Sequence, residues 1–431
     1  MLNLCLIILG KTLSLLSKFL RVGNGSTWPG HIALAINKNV IREMISKSSM
    51  QVILITGTNG KTTTAKLIRT VLEENGKNIL QNQSGANLLN GIASALILQS
   101  DLLGKLKHDF AIFEVDENAL PLILKELDPK YLVLLNLFRD QLDRYGEIDE
   151  IARKWNKSLE SPSKETTLIL NADDPLIAYL GIKTKTKIIY FGLETSESDK
   201  KSLEHAADSI YCPACGNKLN YKIIYYSHLG IWHCDNCGFS RPSENILSNF
   251  TFYPLKGVYN ISNTHAAVAV LRQAGLEDKK IIEGFKKFTP AFGRQEKIIY
   301  KQKNIQIFLS KNPTGFNESM RTIKQLGAKT VLLVLNDRVA DGKDVSWIWD
   351  IDLPEFENIL VSGERVYDLG LRMKYGAEDQ RHNSKFKIFD SLKFAIEEGL
   401  RQIDKGETLY ILPTYTAMLE VRKILTGKSI L

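Results

Sequence analysis

The sequence predicts an α/β protein: a domain built on a parallel-rich central sheet that carries an inserted four-cysteine ribbon, followed by a C-terminal Rossmann-like α/β domain. Three observations predict this class. Runs of β-branched residues alternate with helical stretches, polar residues stand where the early runs end, and two CxxC pairs interrupt the series. At 431 residues the chain is long enough for two or three domains, each with its own core.

Four strands are expected in the first sheet, and each is followed by a polar segment. They are Gln51–Thr56, Phe110–Phe113, Tyr131–Leu135 and Thr167–Leu170. The segments that follow contain Glu114, Asn136 and Asp173. Because the carboxyl ends of parallel strands meet at one edge of a sheet, and ligands bind at that edge, we expect these side chains near a binding site.

A glycine loop, residues 57–60, follows the first strand and is the most informative segment. The sequence continues Lys61-Thr62-Thr63-Thr64, and a helix is expected over 62–74. Such a loop directs backbone N–H groups and a helix N-terminus at a phosphate. Lys61 is therefore expected to reach the terminal phosphates of a nucleotide, and the Thr62 hydroxyl to contact Mg²⁺. The loop is shorter than a generic P-loop, whose first glycine is replaced here by Ile55.

The first 45 residues are expected to form an amphipathic N-terminal arm. The apolar run Leu2–Leu9 is too short to span a bilayer, and no charged segment precedes it as in a signal peptide. The expected helix packs on the body of the protein or lies on a membrane surface. A second Gly10-Lys11-Thr12 lacks the preceding strand of a phosphate loop.

Charge and composition are those of an ordinary globular protein. The net charge is +8, but the lysines are dispersed and no block is long enough for a nucleic-acid arm. The mildly basic surface is compatible with an anionic substrate or a membrane face, although 48 acidic residues indicate a normally solvated surface.

Four of the five cysteines form two CxxC pairs, Cys212/Cys215 and Cys234/Cys237, with 18 residues between them. This spacing is typical of a tetrahedral Cys₄ zinc site. Four protein ligands leave no open position, so the metal is expected to be structural. The two matched pairs argue against a redox role, and Cys5 in the apolar arm is expected to be inert.

A second alternating series is expected to form the C-terminal domain. It follows 288–294, which is expected to be a hinge because it contains Pro290 and Gly293. The strands are expected at Ile305–Ser310, Val331–Leu335, Ile359–Ser362, Phe386–Phe389 and Leu409–Leu412.

Together these segments resemble the MurT family, the Mur-ligase-like subunits of the lipid II isoglutaminyl synthase MurT–GatD. The most specific marks are GTNGKTTT at 57–64, the cysteine insert, NPTGFN at 312–317 and DGKDVSWIW at 341–349. Ordinary stem-building Mur ligases have neither the insert nor DGKDVSW. The resemblance covers essentially the whole chain. It implies the arm (1–45), a Mur-ligase-like ATP-binding domain (46–292, ribbon insert 205–245) and a C-terminal domain (293–431) that meets substrate and glutaminase.

The resemblance implies an ATP-dependent carbon–nitrogen ligase. ATP would phosphorylate the α-carboxyl of D-glutamate in the stem peptide of lipid II, and ammonia from the glutaminase GatD would convert the acyl phosphate to D-isoglutamine. This chemistry needs a phosphate cradle, a metal and a cation in a water-poor site. The expected ligands are ATP, Mg²⁺ and a structural Zn²⁺, while the residues leave open whether the substrate is lipid-linked or soluble.

The family pattern also implies site residues. Glu114 resembles the carboxylate that holds Mg²⁺ with Thr62, with Asp116 and Glu117 as competitors. The implied nucleotide-binding set is Gly57, Thr58, Asn59, Gly60, Lys61, Thr62, Thr63, Asn260, Asn263 and Arg294, with Asn171 and Asp173 as weaker candidates. Lys311 and Asn312 would face the substrate. The implied catalytic residues are Lys61, Glu114 and Asp344.

Asp344 is the residue that the resemblance connects to the partner. In the family, an aspartate at this point of the DGxD motif orients the histidine of the glutaminase Cys–His pair, which fixes the imidazole tautomer. The alternative is a turn-forming aspartate, a role expected of Asp341 more than of Asp344. No cysteine–histidine pair is evident in this sequence, so ammonia is expected from another chain.

Two positions depart from the Mur-ligase pattern. Asp140-Gln141 stands where Mur ligases have Asp-His. Mur ligases also use a carbamylated lysine, and the nearest candidates, Lys154 and Lys157, lie in no context that matches it. Carbamate chemistry is therefore not expected here.

Two other functions remain open. One is an amino-acid ligase of the Mur or folylpolyglutamate type, against which the insert and DGKDVSW argue. The other is a zinc-ribbon nucleic-acid-binding ATPase, against which the dispersed charge argues. We expect a cytoplasmic protein in a heterodimer with the glutaminase, without nucleic acid. Its membrane contact is expected to be at most peripheral, at the inner face of the cytoplasmic membrane.

Overall fold

The computed structural model describes most of the chain. The described residues are 2–19, 27–82, 85–139, 148–160, 163, 165–194, 203–204, 207–244, 246–353, 355–376 and 386–428. Two large sheets with flanking helices organise them, and a two-stranded hairpin projects from the first. The predicted α/β class is confirmed.

The strands of the first part of the chain build the central sheet and the hairpin. They are β1 (Gln51–Thr56), β2 (Ile79–Gln81), β3 (Phe110–Glu114), β4 (Tyr131–Leu134), β5 (Thr167–Asn171), β6 (Lys187–Phe191), β7 (Asn220–Tyr226), β8 (Leu229–His233) and β9 (Ile246–Leu247). The central sheet has the order β2-β3-β1-β4-β5-β6-β9, and all its pairs are parallel. The four predicted strands are confirmed to within one residue. The short strands β2, β6 and β9 were not predicted.

Helices cover both faces of this sheet, which is why its strands are continuously apolar. They are Leu2–Phe19, Trp28–Ile36, Val40–Ile45, Lys61–Glu74, Leu89–Gln99, Leu120–Ile123, Ile148–Ser158, Pro175–Ile182, Val258–Gln273 and Asp278–Lys286. The helix after the glycine loop starts one residue before its predicted start. It ends at Asn75, where Gly76 adopts a positive φ of 75° and stops the helix.

The second sheet has the order β10-β11-β15-β12-β13-β14. Its strands are β10 (Arg294–Tyr300), β11 (Lys303–Phe308), β12 (Thr330–Val334), β13 (Asn358–Ser362), β14 (Phe386–Ile388) and β15 (Thr408–Pro413). Its helices are Pro313–Gln325, Val366–Tyr375, Leu392–Gln402 and Tyr415–Thr426, with a 3₁₀ turn at Ser346–Asp350. β10 runs antiparallel to β11, and the other pairs are parallel.

The strand β10 corrects the expectation that the second series starts at Ile305. β10 and β11 form a hairpin whose turn residues Lys301 and Gln302 have φ angles of 47° and 63°. Such a turn normally contains Gly or Asn. Since neither residue type is present at these two positions, no turn was recognisable there and the strand before it was not predicted.

The N-terminal helix Leu2–Phe19 packs with its Gly10 face against the body of the first domain. A Cβ atom at Gly10 would lie 2.8 Å from Ile97 Cγ2 and 3.1 Å from Pro29 Cβ. Lys11 Nζ donates to the carbonyls of Leu98 and Ser100, at 2.9 and 2.7 Å. The second Gly-Lys-Thr segment is therefore helical, as its missing strand predicted. No helix in the described part of the chain is long and apolar enough to cross a bilayer.

The cysteine insert consists of the hairpin β7–β8 and two CxxC turns, one before β7 and one after β8. It is held against the end of β5, because Trp232 Nε1 donates to the Asp173 carbonyl at 3.2 Å. Trp232 is buried together with Cys212, Cys234 and Ala178. The insert therefore has its own small core and is fixed to the carboxyl edge of the central sheet.

Candidate active site

The glycine loop follows β1, at the topological switch point of the central sheet. β1 lies between β3 and β4, so the segments after all three strands meet at one edge. Gly57 and Gly60 have φ angles of 134° and 93°. A Cβ on Gly60 would lie 2.1 Å from Asn263 Oδ1, and one on Gly57 would lie 2.9 Å from the Asn136 amide nitrogen. Both glycines are therefore required by conformation and by space.

The loop is fixed by the segment that follows β4. Thr58 N donates to the Asn136 carbonyl at 3.0 Å, and Asn59 N donates to Asn136 Oδ1 at 2.9 Å. Phe138 N donates to Thr58 Oγ1 at 3.0 Å. These bonds hold the loop backbone in place. The first-turn N–H groups of the next helix have no intrahelical acceptor and point out of its N-terminus.

Lys61 is held by an acidic partner and by loop carbonyls. Its Nζ lies 3.0 Å from Glu117 Oε2 and also donates to the Gly57 carbonyl. Both side chains are largely shielded from solvent. Glu117, which the sequence offered only as a competitor of Glu114, is thus the partner of the loop lysine.

Thr62 and Glu114 form the second polar pair. Thr62 Oγ1 donates to Glu114 Oε2 at 2.6 Å. Burial raises the pKa of the Glu114 carboxyl, since the hydrogen bond from Thr62 and the charge of Lys61 offset only part of the desolvation. Two adjacent oxygen atoms beside a phosphate loop are the ligand type that Mg²⁺ prefers. These residues fit a magnesium ion.

Asp116, the other competitor, turns towards its own backbone. Its Oδ1 accepts from Asn118 N at 3.1 Å, and its N–H donates to the Asn87 carbonyl at 3.0 Å. Of the three carboxylates near the end of β3, Glu114 is the one that contacts the loop threonine.

A cleft that is partly open to solvent separates the glycine loop from the second sheet. Its walls come from both sheets and from the β7 hairpin strand. The lining residues are Asn59, Gly60, Thr63, Asn136, Phe138, Tyr226, Leu255, Tyr259, Asn260, Asn263, Gly293, Arg294, Gln295, Phe308, Leu309, Lys311, Thr314, Gly315, Glu318 and Ser319.

Several predicted residues therefore share this cleft. Asn260 and Asn263 are consecutive on one face of the helix Val258–Gln273, and Asn263 Nδ2 donates to Asn260 Oδ1 at 3.3 Å. Arg294 enters from the first residue of β10, and Lys311 from the end of β11. These four residues were predicted from the sequence, and the structure brings them together beside the glycine loop.

A reciprocal amide pair connects the two sheets at the cleft. Asn59 Nδ2 donates to Asn312 Oδ1 at 3.3 Å, and Asn312 Nδ2 donates to Asn59 Oδ1 at 3.1 Å. Asn312 Oδ1 also accepts from Gly315 N at 2.8 Å and so caps the helix Pro313–Gln325. One side chain therefore fixes both a helix start and the distance to the glycine loop.

The two weaker nucleotide candidates serve the fold. Asn171 Nδ2 donates to the Leu135 carbonyl at 2.7 Å, and its Oδ1 accepts from Asp173 N. Asp173 is buried against Arg241, with 2.8 Å between the charged groups. Neither residue lines the cleft. Burial raises the pKa of Asp173 to about 6 even though Arg241 lowers it.

The DGKD segment reverses one expectation. Asp344, and not Asp341, forms the turn-type bond two residues ahead, since its Oδ1 accepts from Ser346 N at 2.8 Å. Asp341 is buried and accepts from Thr416 N at 2.8 Å, which pins the segment to the last helix. The reason is tertiary: a helix 75 residues away supplies the partner of Asp341. Asp344 nevertheless stands exposed on the surface.

The four paired cysteines converge on one point. Their Sγ atoms all lie within 4.8 Å of one another, and the closest pairs are Cys212–Cys237 at 3.6 Å and Cys215–Cys234 at 3.5 Å. A tetrahedral zinc with bonds of about 2.3 Å separates its sulfurs by about 3.8 Å. Gly216 and Gly238 have φ angles of 76° and 73°, as a knuckle turn requires. The cluster fits a metal ion of this kind.

Some expectations lie elsewhere. Asp140 and Gln141 fall outside the described residues. Lys154 and Lys157 are exposed on the helix Ile148–Ser158, where Lys154 pairs with Glu150 at 3.6 Å. Tyr226 was missed, although it lines the cleft from the end of β7. A signal was present, because Tyr225-Tyr226 stands at the tip between the two CxxC pairs.

This architecture, a phosphate loop facing a cleft that a second α/β domain closes, is that of the Mur ligases. The family Mur ligase middle domain matches residues 55–271, and the family MurT ligase C-terminal matches residues 309–418. A pseudomurein peptide ligase type C from Methanothermus fervidus superposes with a TM-score of 0.64 at 24% identity, covering 89% of this chain and 80% of that chain. MurF from Thermotoga maritima in complex with ADP gives 0.60 at 15% identity, with 90% and 82% covered.

The curated relatives are more specific. MurT of lipid II isoglutaminyl synthase (glutamine-hydrolyzing) from Staphylococcus aureus strain N315 is 37% identical over 373 residues, which are 81% of this chain and 83% of that protein. The corresponding subunit from Streptococcus pneumoniae strain ATCC BAA-255 / R6 is 34% identical, covering 95% and 94%. The chain belongs to the MurT family and is a ligase.

Proposed function

We propose that this chain is the ATP-using synthetase subunit of a glutamine-dependent amidotransferase, which amidates the α-carboxyl of D-glutamate in the stem peptide of lipid II. The relatives that cover most of it are named as subunits of lipid II isoglutaminyl synthase (glutamine-hydrolyzing). The observation that carries the proposal is the glycine loop, with Lys61 and the Thr62–Glu114 pair beside it, at a cleft lined from both sheets.

The proposed reaction has two steps. A carboxylate oxygen of D-glutamate attacks the γ-phosphorus of ATP, and the bond to the bridging oxygen of ADP breaks. The nitrogen of ammonia then attacks the acyl carbon, inorganic phosphate leaves, and the nitrogen releases a proton. The protein contributes position and charge to both steps, because phosphoryl transfer needs little covalent help.

The residues at the loop have separate roles in this proposal. The amides of 60–63, at the helix N-terminus, would hold the phosphates, and Lys61 would offset the charge on the transferred phosphoryl group. Thr62 and Glu114 would hold Mg²⁺, which when bound neutralises phosphate charge and orients the oxygens. Glu117 holds the Lys61 ammonium in position through an ion pair of 3.0 Å.

The remaining cleft residues divide between nucleotide and acceptor. Asn260, Asn263 and Arg294 would contact the nucleotide, since they lie beside the glycine loop. Lys311 lines the cleft and would face the stem peptide from the second sheet. Asn312 is buried in its amide pair with Asn59 and would act by positioning this side of the cleft. We infer that residues 293–431 act as the substrate and partner domain, while 46–292 bind ATP.

The cysteine cluster would hold a structural zinc ion. Four sulfur ligands leave no position for a substrate, so no step passes through the metal. Its contribution is to fix the β7–β8 hairpin, whose last β7 residue, Tyr226, forms part of the cleft wall.

The glutaminase, GatD, is proposed to dock on the face around Asp344. Trp349, Tyr367, Leu371 and Tyr375 are all exposed there. The last three are spaced four residues apart on one helix, and Arg372 of that helix donates to the carbonyl of Ile348 at 3.0 Å. Exposed aromatic residues around an exposed carboxylate are typical of a protein interface. Asp344 would accept from the histidine of the partner's Cys–His pair.

An amidation assay tests the proposal. Purified chain is incubated with lipid II, ATP and Mg²⁺, with ammonium or glutamine as nitrogen source, with and without the glutaminase. We expect ammonium-driven product from this chain alone and glutamine-driven product only with the partner. Ligation of an amino acid, with lipid II left unamidated under both nitrogen sources, would instead identify a Mur-type amino-acid ligase.

The proposed reaction takes place in the cytoplasm, where ATP is available. A lipid-linked stem peptide would be reached at the inner face of the cytoplasmic membrane. We therefore infer a cytoplasmic protein with peripheral membrane contact.

A further inference from the structure

The N-terminal helix Leu2–Phe19 has an apolar face that no part of the described chain covers. Its outward-facing side carries, among the described side chains, Leu4, Cys5, Ile8, Leu9, Thr12, Leu15 and Leu16, and all seven are exposed. Thr12 Oγ1 donates back to the Ile8 carbonyl, so even this hydroxyl presents little polarity to solvent. A helix with an apolar outer face normally has a partner there.

The opposite side of the helix is already used. Leu6, Ile7, Gly10 and Ser14 are buried against the first domain. The helix is therefore anchored in a fixed orientation, and its outward face is not the core-facing side of an undocked arm. Packing against the first domain accounts for the apolar residues on the buried side of the helix. It does not account for those on the exposed side.

The apolar face extends beyond the helix. Gly104 approaches Ile7, because a Cβ there would lie 2.9 Å from Ile7 Cδ1, and the same turn exposes Leu102 and Leu103 by 67% and 72%. Pro29 contacts Gly10, and its neighbour Trp28 is 62% exposed. The patch thus combines leucines with a tryptophan at its margin, a residue enriched where proteins meet the headgroup region.

The N-terminal segment that carries this patch is basic, and the acid in the adjoining turn, Asp101, is paired with Lys107 at 3.8 Å. Residues 1–42 contain five Lys or Arg and no Asp or Glu. The first acidic residue, Glu43, accepts from Asn3 Nδ2 at 2.7 Å and from Asn37 Nδ2 at 3.3 Å at the start of the helix. A basic segment with an apolar face complements an anionic lipid surface.

We propose that this surface docks on the anionic face of a lipid bilayer, with the helix lying in the plane of the interface. Two copies meeting through the same face would bring two net basic segments together, whereas an anionic lipid surface would attract them, so charge favours a membrane over self-association. This inference rests on the proposed function, because a lipid-linked substrate would lie at a membrane.

Vesicle binding tests the proposal without any turnover. The full chain, alone and with its glutaminase, is sedimented with phosphatidylcholine vesicles that contain or lack phosphatidylglycerol. The test variant is Ile8→Glu/Leu15→Glu, on the outward face. The control variant is Ile182→Glu/Ile299→Glu, which changes two exposed isoleucines elsewhere by the same charge.

We expect binding that depends on phosphatidylglycerol, a loss of about tenfold or more in the test variant, and no comparable loss in the control. Thermal unfolding midpoints of both variants should match the wild type, since all four positions are exposed. A fluorophore on Cys5 should report an apolar environment when vesicles are added.

Three results would overturn the proposal: no vesicle binding by the wild type, equal binding by the test variant, or a dimer that the test variant disrupts. Because vesicle binding needs neither ATP nor lipid II, its failure is distinguishable from failure of the amidation assay. Amidation of a water-soluble muramyl peptide should be unchanged in the test variant, whereas amidation of lipid II in vesicles should fall.

Discussion

Two loops occupy equivalent places in the two sheets but face different surroundings. The glycine loop follows β1, and the DGKD segment follows β12, and both strands are buried in the interior of their sheets. The glycine loop bonds to the segment after β4 and to Asn312 across the cleft. The DGKD segment turns Asp341 inward and leaves Lys343 and Asp344 exposed. In the proposed function, the glycine loop would hold a ligand between the two sheets, and the DGKD segment would contact a partner from outside.

The largest expected effect of a substitution is at the glycine loop. Lys61→Met should lower the rate of amidation by about 10²- to 10³-fold with both ammonium and glutamine, because the transferred phosphoryl group loses its cation. Initial rates at saturating ATP would measure it. The double variant Lys61→Met/Glu117→Gln removes the unpaired buried carboxylate. If the double variant regained the wild-type rate, Lys61 would only neutralise Glu117.

The stability of the sheet edge that supports the glycine loop should depend on pH. Since the pKa of Asp173 is raised to about 6, the folded state binds more protons than the unfolded state between pH about 4 and 6, and stability falls with rising pH in that window. Arg241→Met removes the neighbouring cation and moves the window upward. We expect a loss of about 3 kcal/mol in the free energy of unfolding at pH 8, and less at pH 5.

Urea unfolding at both pH values measures this difference. In the double variant Asp173→Asn/Arg241→Met the pH dependence of the Arg241→Met variant should disappear. A loss that is equal at pH 5 and pH 8 in the single variant would show that the ion pair does not govern this edge.

At the DGKD segment the effect of a substitution should depend on the nitrogen source. Asp344→Asn is expected to lower glutamine-driven amidation by about 10²-fold and leave ammonium-driven amidation unchanged, since only the partner's histidine loses the carboxylate that orients it and stabilises its imidazolium. Parallel assays with the two nitrogen sources measure the ratio. Asp341→Asn is the contrasting variant, because its loss of buried hydrogen bonds should lower stability and both activities together. Equal losses from Asp344→Asn would remove the distinction between the two loops.

The smallest expected effect is at the Asn59–Asn312 amide pair, which connects the glycine loop to the second sheet. Asn312→Ala should cost about 1 kcal/mol in the free energy of unfolding, through loss of the helix cap, and should weaken ATP binding. Asn312→Asp keeps an oxygen for the cap but removes the donor to Asn59 Oδ1. Calorimetry of unfolding and of ATP binding separates the two roles. Unchanged ATP affinity in both variants would mean that the amide pair does not couple the sheets.

Local signals were sufficient to predict much of this fold from the sequence. β1 and the helix after the glycine loop were predicted closely, because a buried β-branched run and a glycine turn are short-range features. The two CxxC pairs predicted the cysteine cluster for the same reason. β9, with two residues, has too little pattern to detect, and β10 lacked a recognisable turn.

Long-range partners were beyond the sequence. Glu117 could be named near the site, but its contact with Lys61 depends on how two crossovers place their strand ends. Glu204 accepts from Arg321, 117 residues away, and no local pattern indicates that bond. The assignment of the turn to Asp341 was wrong because a helix distant in sequence decided it. What sequence reasoning missed was therefore mainly contact between elements and not the elements themselves.

The hairpin insert has a consequence for how such a chain could have arisen. Tyr190 of β6 pairs with Ile246 of β9, so the polypeptide leaves and re-enters the sheet one strand spacing apart. Parallel strands need a crossover, and here the ribbon takes the place of the helix that links the other neighbouring strands. A module with adjacent ends adds little loop-closure entropy. The ribbon could therefore be exchanged for another crossover of similar span while the register of β6 and β9 stayed the same.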